Sequence, residues 1–227
     1  MSTFVLVHGA FSGGWAWNKV IPLLEKEGHT VFAPDMPGHG KNRWTKAEEI
    51  TLQDYVDCVA EVLDKQPEPV ILVGHSMGGM IVSQSAEYNP DKIKKLVYVC
   101  AFLLKDGESL YSRGGGHHNP LNVPYEVFKE LLCGDCTDAD ARWARALMLP
   151  SPGKLAGTQI HITKERYECL PRYYIECLSD NAIKPAVQKQ MYTDTSCKRV
   201  FTQDASHFPL LSKPIELAEI LLSIEKD

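Results

Sequence analysis

Pro69-Val70-Ile71-Leu72-Val73-Gly74-His75-Ser76-Met77-Gly78-Gly79-Met80-Ile81-Val82 is the stretch from which the fold can be read. Residues 70–73 are aliphatic and mostly β-branched, and Pro69 and Gly74 bound them, as expected of a strand buried on both faces. From Met77 onward the residues suit a helix. Between the two, Gly74-x-Ser76-x-Gly78 is a tight strand-to-helix turn in which a Cβ at either glycine would meet neighbouring backbone. Such a turn lifts the Ser76 hydroxyl above the sheet and aims the Met77 amide at the same space. The five-residue pattern alone is common; the strand before it and the helix after it give it weight.

Around that centre the chain alternates strands and helices. Residues 4–7 and 30–33 predict strands before the turn, and 95–100, 172–177 and 198–201 predict strands after it. Helices are expected over 15–27, with Gly28 as the stop, over 51–64 with Thr51 as the N-cap, over 185–191 and over 214–224. This alternation predicts an α/β fold with a mostly parallel six-stranded sheet covered by helices on both faces. The pattern breaks from Lys105 to about Leu170, where short helical pieces (125–132 and 138–148) are separated by Gly114-Gly115-Gly116 and several prolines. A partly helical cap over the carboxyl edge of the sheet is expected there. The whole chain, 1–227, then reads as one domain, with a core of 1–104 and 171–227 and a cap of 105–170. Phe11, Tyr111, Trp143, Leu147, Met148 and Phe208 are the candidates to line its pocket.

With 227 residues, 44% hydrophobic and 23% charged, the composition is that of a water-soluble globular chain. A net charge of -5 gives no reason to expect nucleic acid or an anionic membrane as a partner. Met1-Ser2-Thr3 runs straight into a strand without a basic, apolar leader, so a cytoplasmic location is expected. The seven cysteines are odd in number and scattered, which suggests reduced thiols. Cys133 and Cys136 have C-x-x-C spacing but no second pair, and read as surface or cap thiols. His117-His118 lacks partner ligands at readable spacing and predicts a loop, not a metal site. Neither cofactor nor metal is expected.

A serine hydroxyl is a weak nucleophile until a base takes its proton, and the base needs an acid to fix its tautomer. Ser76, Asp180 and His207 each follow a predicted strand, so all three fall at one edge of the sheet. Their order along the chain is that of α/β-hydrolases. Asp106 also follows a strand and is the next candidate for the acid, whereas Asp204 is too close in sequence to His207 to reach its far nitrogen. Asp35 and His39 lie in a turn and are read as structural. The loop His8-Gly9-Ala10 after the first strand lacks both the G-x-G-x-x-G and Walker patterns. Its Ala10 amide is the natural second donor beside Met77 to a developing oxyanion.

These motifs resemble the plant methylesterase and hydroxynitrile lyase family. The similarity lies in Phe4-Val5-Leu6-Val7-His8-Gly9-Ala10, Gly13-Gly14-Trp15, Val73-Gly74-His75-Ser76-Met77-Gly78-Gly79-Met80 and residues 175–183. It extends over the core and touches the cap only in position. The resemblance implies Ser76 as nucleophile, His207 and Asp180 as its partners, and the Ala10 and Met77 amides as the oxyanion hole. It also divides two chemistries. The lyases carry a lysine after the histidine and a threonine in the His-Gly-Thr loop, where this chain has Phe208 and Ala10. Cyanide leaving into an apolar site is costly, which disfavours the lyase.

The expectation is a cofactor-free serine esterase acting on small, fairly apolar esters, present as a monomer or homodimer. Other triad chemistry on the same fold, or a ligand-binding receptor, are the alternatives.

Overall fold

The computed structural model describes residues 1–46, 48–116 and 119–227; the His117-His118 pair lies outside them. Six strands form one sheet: β1 (Thr3–Val7), β2 (Thr30–Phe32), β3 (Val70–His75), β4 (Ile93–Val99), β5 (Arg172–Cys177) and β6 (Arg199–Gln203). Their spatial order is β2-β1-β3-β4-β5-β6, and every neighbouring pair is parallel. The helices are α1 (Ile21–Lys26), α2 (Leu52–Leu63), α3 (Gly78–Tyr88), α4 (Tyr125–Leu132), α5 (Asp138–Leu147), α6 (Pro185–Asp194), α7 (Pro209–Ser212) and α8 (Pro214–Lys226).

The period of two along each strand divides the core into two layers. Val5, Val7, Val70 and Leu72 face one way and pack with α2 and α3. Phe4, Leu6, Ile71 and Val73 face the other way, among residues of α8 and of the segment before α1. Both faces are dry, so β3 reads as a continuous apolar run with no alternation.

Two local expectations change in detail. The single helix over 15–27 is a 3-10 turn, Gly14–Trp17, followed by the short α1. Pro22 is the reason, because proline fits only the first turn of a helix. Cys133 and Cys136 are not surface thiols: both are buried and free. They sit behind the loop that follows β6, where the Cys136 sulfur approaches the Phe208 carbonyl at 4.0 Å. Thr51 caps α2 as its sequence predicts, in a reciprocal box with Asp54.

The strand order reverses between β1 and β3. β1 leads outward to β2, and β3 leads the other way to β4, which opens a crevice at the carboxyl ends of the two strands. The long connection between β4 and β5 carries α4 and α5.

Candidate active site

Ser76 stands at that crevice with φ +54, a left-handed conformation that a non-glycine residue holds only under constraint. The constraint is visible on all sides. The Ser76 N–H donates to Val99 C=O at 3.3 Å, and its own carbonyl accepts from Phe102 N–H at 3.0 Å. A Cβ on Gly74 would lie 2.6 Å from the Gly78 carbonyl oxygen, and one on Gly78 would lie 2.7 Å from that of Val7. Those contacts explain why the turn carries glycine at both positions.

His207 follows β6 and lies 2.9 Å through Nε2 from the Ser76 hydroxyl. Its other nitrogen, Nδ1, lies 2.7 Å from Asp180 Oδ2. A nitrogen facing a carboxylate carries the proton, so Nε2 is bare and accepts the serine O–H. An imidazole in this tautomer can take that proton as a base. Asp180 is 1% exposed, and its charge is met by hydrogen bonds. Oδ1 accepts from the Ala182 and Ile183 amides at 2.7 and 2.9 Å, and Oδ2 accepts from Gln188 Nε2 at 3.2 Å.

The main chain of His207 is held as firmly. His75, beside the serine, donates from Nε2 to the His207 carbonyl at 2.7 Å, and the Cys100 thiol approaches the same oxygen at 3.5 Å. Ser206 donates its N–H and its hydroxyl to Asp135. Burial holds His75 well below the ordinary histidine range, so it acts as a neutral donor. His75, Cys100 and His207 are the one group among the described residues with metal-ligand spacing, all within 4.8 Å. Two of the three already meet at one carbonyl, and those hydrogen bonds account for the cluster.

Ala10 and Met77 both line the cavity beside Ser76. Met77 stands at the start of α3, where the first amides lack carbonyl partners within the helix. The loop before Ala10 is anchored by His8, which donates from Nδ1 to Gly9 C=O at 2.8 Å and accepts at Nε2 from Met36 N–H at 3.1 Å. Complete burial, with His39 as a further cause, lowers the His8 pKa to about 3, which keeps that acceptor available.

The cavity holds about 180 Å³, and no Asp, Glu, Lys or Arg is among its described lining. Of the candidate lining residues, Phe11 and Phe208 lie on its wall, and Tyr111, Trp143, Leu147 and Met148 are not among its lining. Trp143 packs edge-on against Trp15 at 5.2 Å, and Leu147 on the same flank of α5 is half-exposed. Ala141 and Ala144 form the buried face of that helix, so its larger side chains point away from the cavity. Met148 is buried in the core layer opposite α2 and α3. Tyr111 is half-exposed and lies against Gly116 and Gly157. The walls come instead from Phe102, Leu110, Leu131, Leu132 and Ile183. Sequence reasoning also missed Gln188, His75 as an anchor, and Asp135; His75 and Asp135 act across 132 and 71 positions, and Gln188 reaches Asp180 over eight, a spacing that marks no motif.

Of the competing acids, Asp106 accepts from the Ile162 amide at 3.0 Å and faces His161 at 3.8 Å. Asp204 accepts from the Ser179 hydroxyl at 3.2 Å. Asp35 ties down turns, accepting from the Gly14 and Lys41 amides at 2.7 and 2.9 Å.

The chain matches the model of the Alpha/beta hydrolase family over residues 4–220, and it belongs to that family. Methylesterase 7 of Arabidopsis thaliana is 35% identical over an alignment of 248 residues, covering 97% of this chain and 95% of that protein. A longer chloroplastic methylesterase-type protein of the same plant is 33% identical; 98% of this chain matches 64% of its length. Among solved structures, polyneuridine aldehyde esterase superposes with a TM-score of 0.88 at 30% identity, covering 99% of both chains. No helix among the described residues is long and apolar enough to cross a membrane.

Proposed function

We propose that this chain is a serine carboxylesterase for small, uncharged, fairly apolar esters, with Ser76, His207 and Asp180 as its catalytic triad. The observation that carries the reading is the continuous hydrogen-bonded line from Asp180 through His207 to Ser76. The chain is a carboxylic ester hydrolase, in keeping with relatives named methylesterase and esterase.

In the proposed cycle the Ser76 oxygen attacks the ester carbonyl as His207 Nε2 takes its proton. The Ala10 and Met77 amides donate to the oxyanion, and Asp180 stabilises the imidazolium. Collapse breaks the C–O bond to the alcohol, which leaves with the proton from His207. Water then attacks the acyl-serine as the same nitrogen takes its proton; the acyl C–Oγ bond breaks, His207 returns the proton to Ser76, and the acid is released. Every step uses groups of this chain and the two substrates, ester and water.

The cavity supports a substrate class. An apolar cavity of about 150 Å³ holds benzene, so about 180 Å³ suits one ring or a short chain. The uncharged lining offers nothing to neutralise an ionised substrate. Residues 105–170 serve as the cap that supplies part of these walls, on a core of 1–104 and 171–227. The names of the relatives make methyl esters the first class to try.

Ser76→Ala tests the reading directly. Turnover of a short-chain aryl ester should disappear while the circular dichroism spectrum stays unchanged. A fluorophosphonate should add once, at Ser76. Retained turnover, or no adduct by intact-protein mass spectrometry, sinks the assignment. The lyase alternative predicts cyanide release from mandelonitrile; the buried Phe208, beside His207 where the lyases carry lysine, supports the opposite outcome.

A further inference from the structure

We propose that Ser151 and His39 form a positioning pair that holds the oxyanion loop in place, which makes the segment after α5 part of the catalytic frame. The proposal rests on the esterase reading above, because that reading assigns the Ala10 amide to the oxyanion.

Phe11 follows Ala10 directly and has φ +64, a conformation that a bulky L residue rarely adopts and that its surroundings must impose. Both of its backbone groups are held by one short stretch of chain. The Phe11 N–H donates to Ser151 Oγ at 2.6 Å, and the Phe11 carbonyl accepts from Leu149 N–H at 2.9 Å. The Ser151 hydroxyl in turn lies 3.0 Å from His39 Nε2.

His39 is fully buried, and its Nδ1 faces the Pro37 carbonyl at 3.2 Å and the Tyr55 hydroxyl at 3.1 Å. A nitrogen facing a carbonyl carries the proton, so Nε2 is the acceptor and Ser151 donates to it. Burial lowers the pKa of this imidazole, which agrees with the neutral form that the geometry requires. The hydroxyl is thus spent on both sides: its proton goes to His39, and a lone pair receives Phe11 N–H.

The assembly joins the turn after β2, helix α2 and the segment after α5 at one amide, the neighbour of the proposed oxyanion donor. Its removal leaves Phe11 N–H without its partner and frees the strained residue to relax. A shift of about 1 Å at such a donor costs on the order of 100-fold in rate. Ser151 also lines the cavity, and a serine bonded to a histidine invites a second reading, as a second nucleophile. Ser151 lies in a coil, so its variants test the two readings without disturbing a helix or strand.

In Ser151→Ala, kcat for a neutral aryl ester should fall about 10- to 100-fold, with KM moving less than about three-fold. Inhibition by an aryl trifluoromethyl ketone, whose adduct carries the oxyanion, should weaken by the same factor as kcat. Ser151→Thr, which keeps the hydroxyl, should restore most of both. Hydrogen exchange at the Phe11 amide should quicken about tenfold or more in the alanine variant and return in the threonine one; this readout needs no activity. Unchanged kcat, a loss confined to KM, or no rescue by threonine overturns the pair as a positioning device. A fluorophosphonate adduct at Ser151 in Ser76→Ala also overturns it, in favour of the second nucleophile. Failure of the esterase reading looks different: the unaltered protein then shows neither ester turnover nor an adduct at Ser76.

Discussion

Gly9 and Ser76 touch across the crevice: a Cβ on Gly9 would lie 2.7 Å from the serine Cβ and 3.1 Å from His75 Nδ1. The His8-Gly9-Ala10 loop and the Ser76 turn are therefore in van der Waals contact, and the glycine sets their spacing. Gly9→Ala should push the two loops apart by a few tenths of an ångström. Overpacking of this kind costs roughly 1–3 kcal/mol, and we expect kcat to fall by about 100-fold. Steady-state kinetics beside a thermal melt separates the two effects; wild-type turnover would show that the spacing is unimportant.

Asp180→Asn should lower kcat by about 10,000-fold, as the same change does in a serine protease triad. An amide can present its NH2 to His207 Nδ1 and so favour the wrong tautomer. Asp106→Asn should leave kcat within about two-fold, because its carboxylate serves Ile162 and His161. The reverse ranking in a direct comparison of the two variants would reassign the acid.

Gln188 holds the Asp180 carboxylate from α6. Its amide accepts from Cys177 N–H at 3.1 Å and donates to the Ile183 carbonyl at 2.6 Å as well as to Asp180. Gln188→Leu keeps the volume and orphans buried groups, at roughly 1–3 kcal/mol each. Urea unfolding should show that loss, and kcat should fall by less than in Asp180→Asn. A variant as stable and active as the parent would remove Gln188 from the support.

Three buried histidines should make the fold less stable as the pH falls below 7. Desolvation lowers the pKa values of His8, His39 and His75 in the folded protein, whereas in the unfolded chain each titrates near 6.5. The unfolded state therefore binds more protons below about pH 6.5, so these groups favour folding above that pH. Their contribution should fade as the pH drops toward about 3, the value for His8. Denaturation midpoints taken from pH 7 to 4.5 should fall, with net proton uptake on unfolding. A flat profile would mean that these rings are solvated.

Much of the fold is legible in the sequence. Residues 70–78 specify a strand, a tight turn and the start of a helix through local chemistry, because aliphatic branching, two glycines and a small hydroxyl residue leave few other arrangements. The capping box at Thr51 is equally local, since its partners are three residues apart. The pocket was legible only at Phe11 and Phe208. Trp143 and Leu147 look like lining residues in a linear reading, but the buried alanines of α5 turn them outward. The interrupted helix near Trp15 followed from Pro22, which the apolar spacing around it concealed.

Sequence alone determined the alternating α/β plan, the strained serine turn and the chain order of Ser76, Asp180 and His207, because each rests on short-range geometry or on where a strand ends. Only the tertiary structure decided which side chains meet across those ends. Gln188 against Asp180, His75 against the His207 carbonyl and Ser151 against Phe11 join residues 8, 132 and 140 positions apart. The two long separations follow from how the sheet and the β4–β5 connection pack, and the short one from how α6 folds back on the loop after β5.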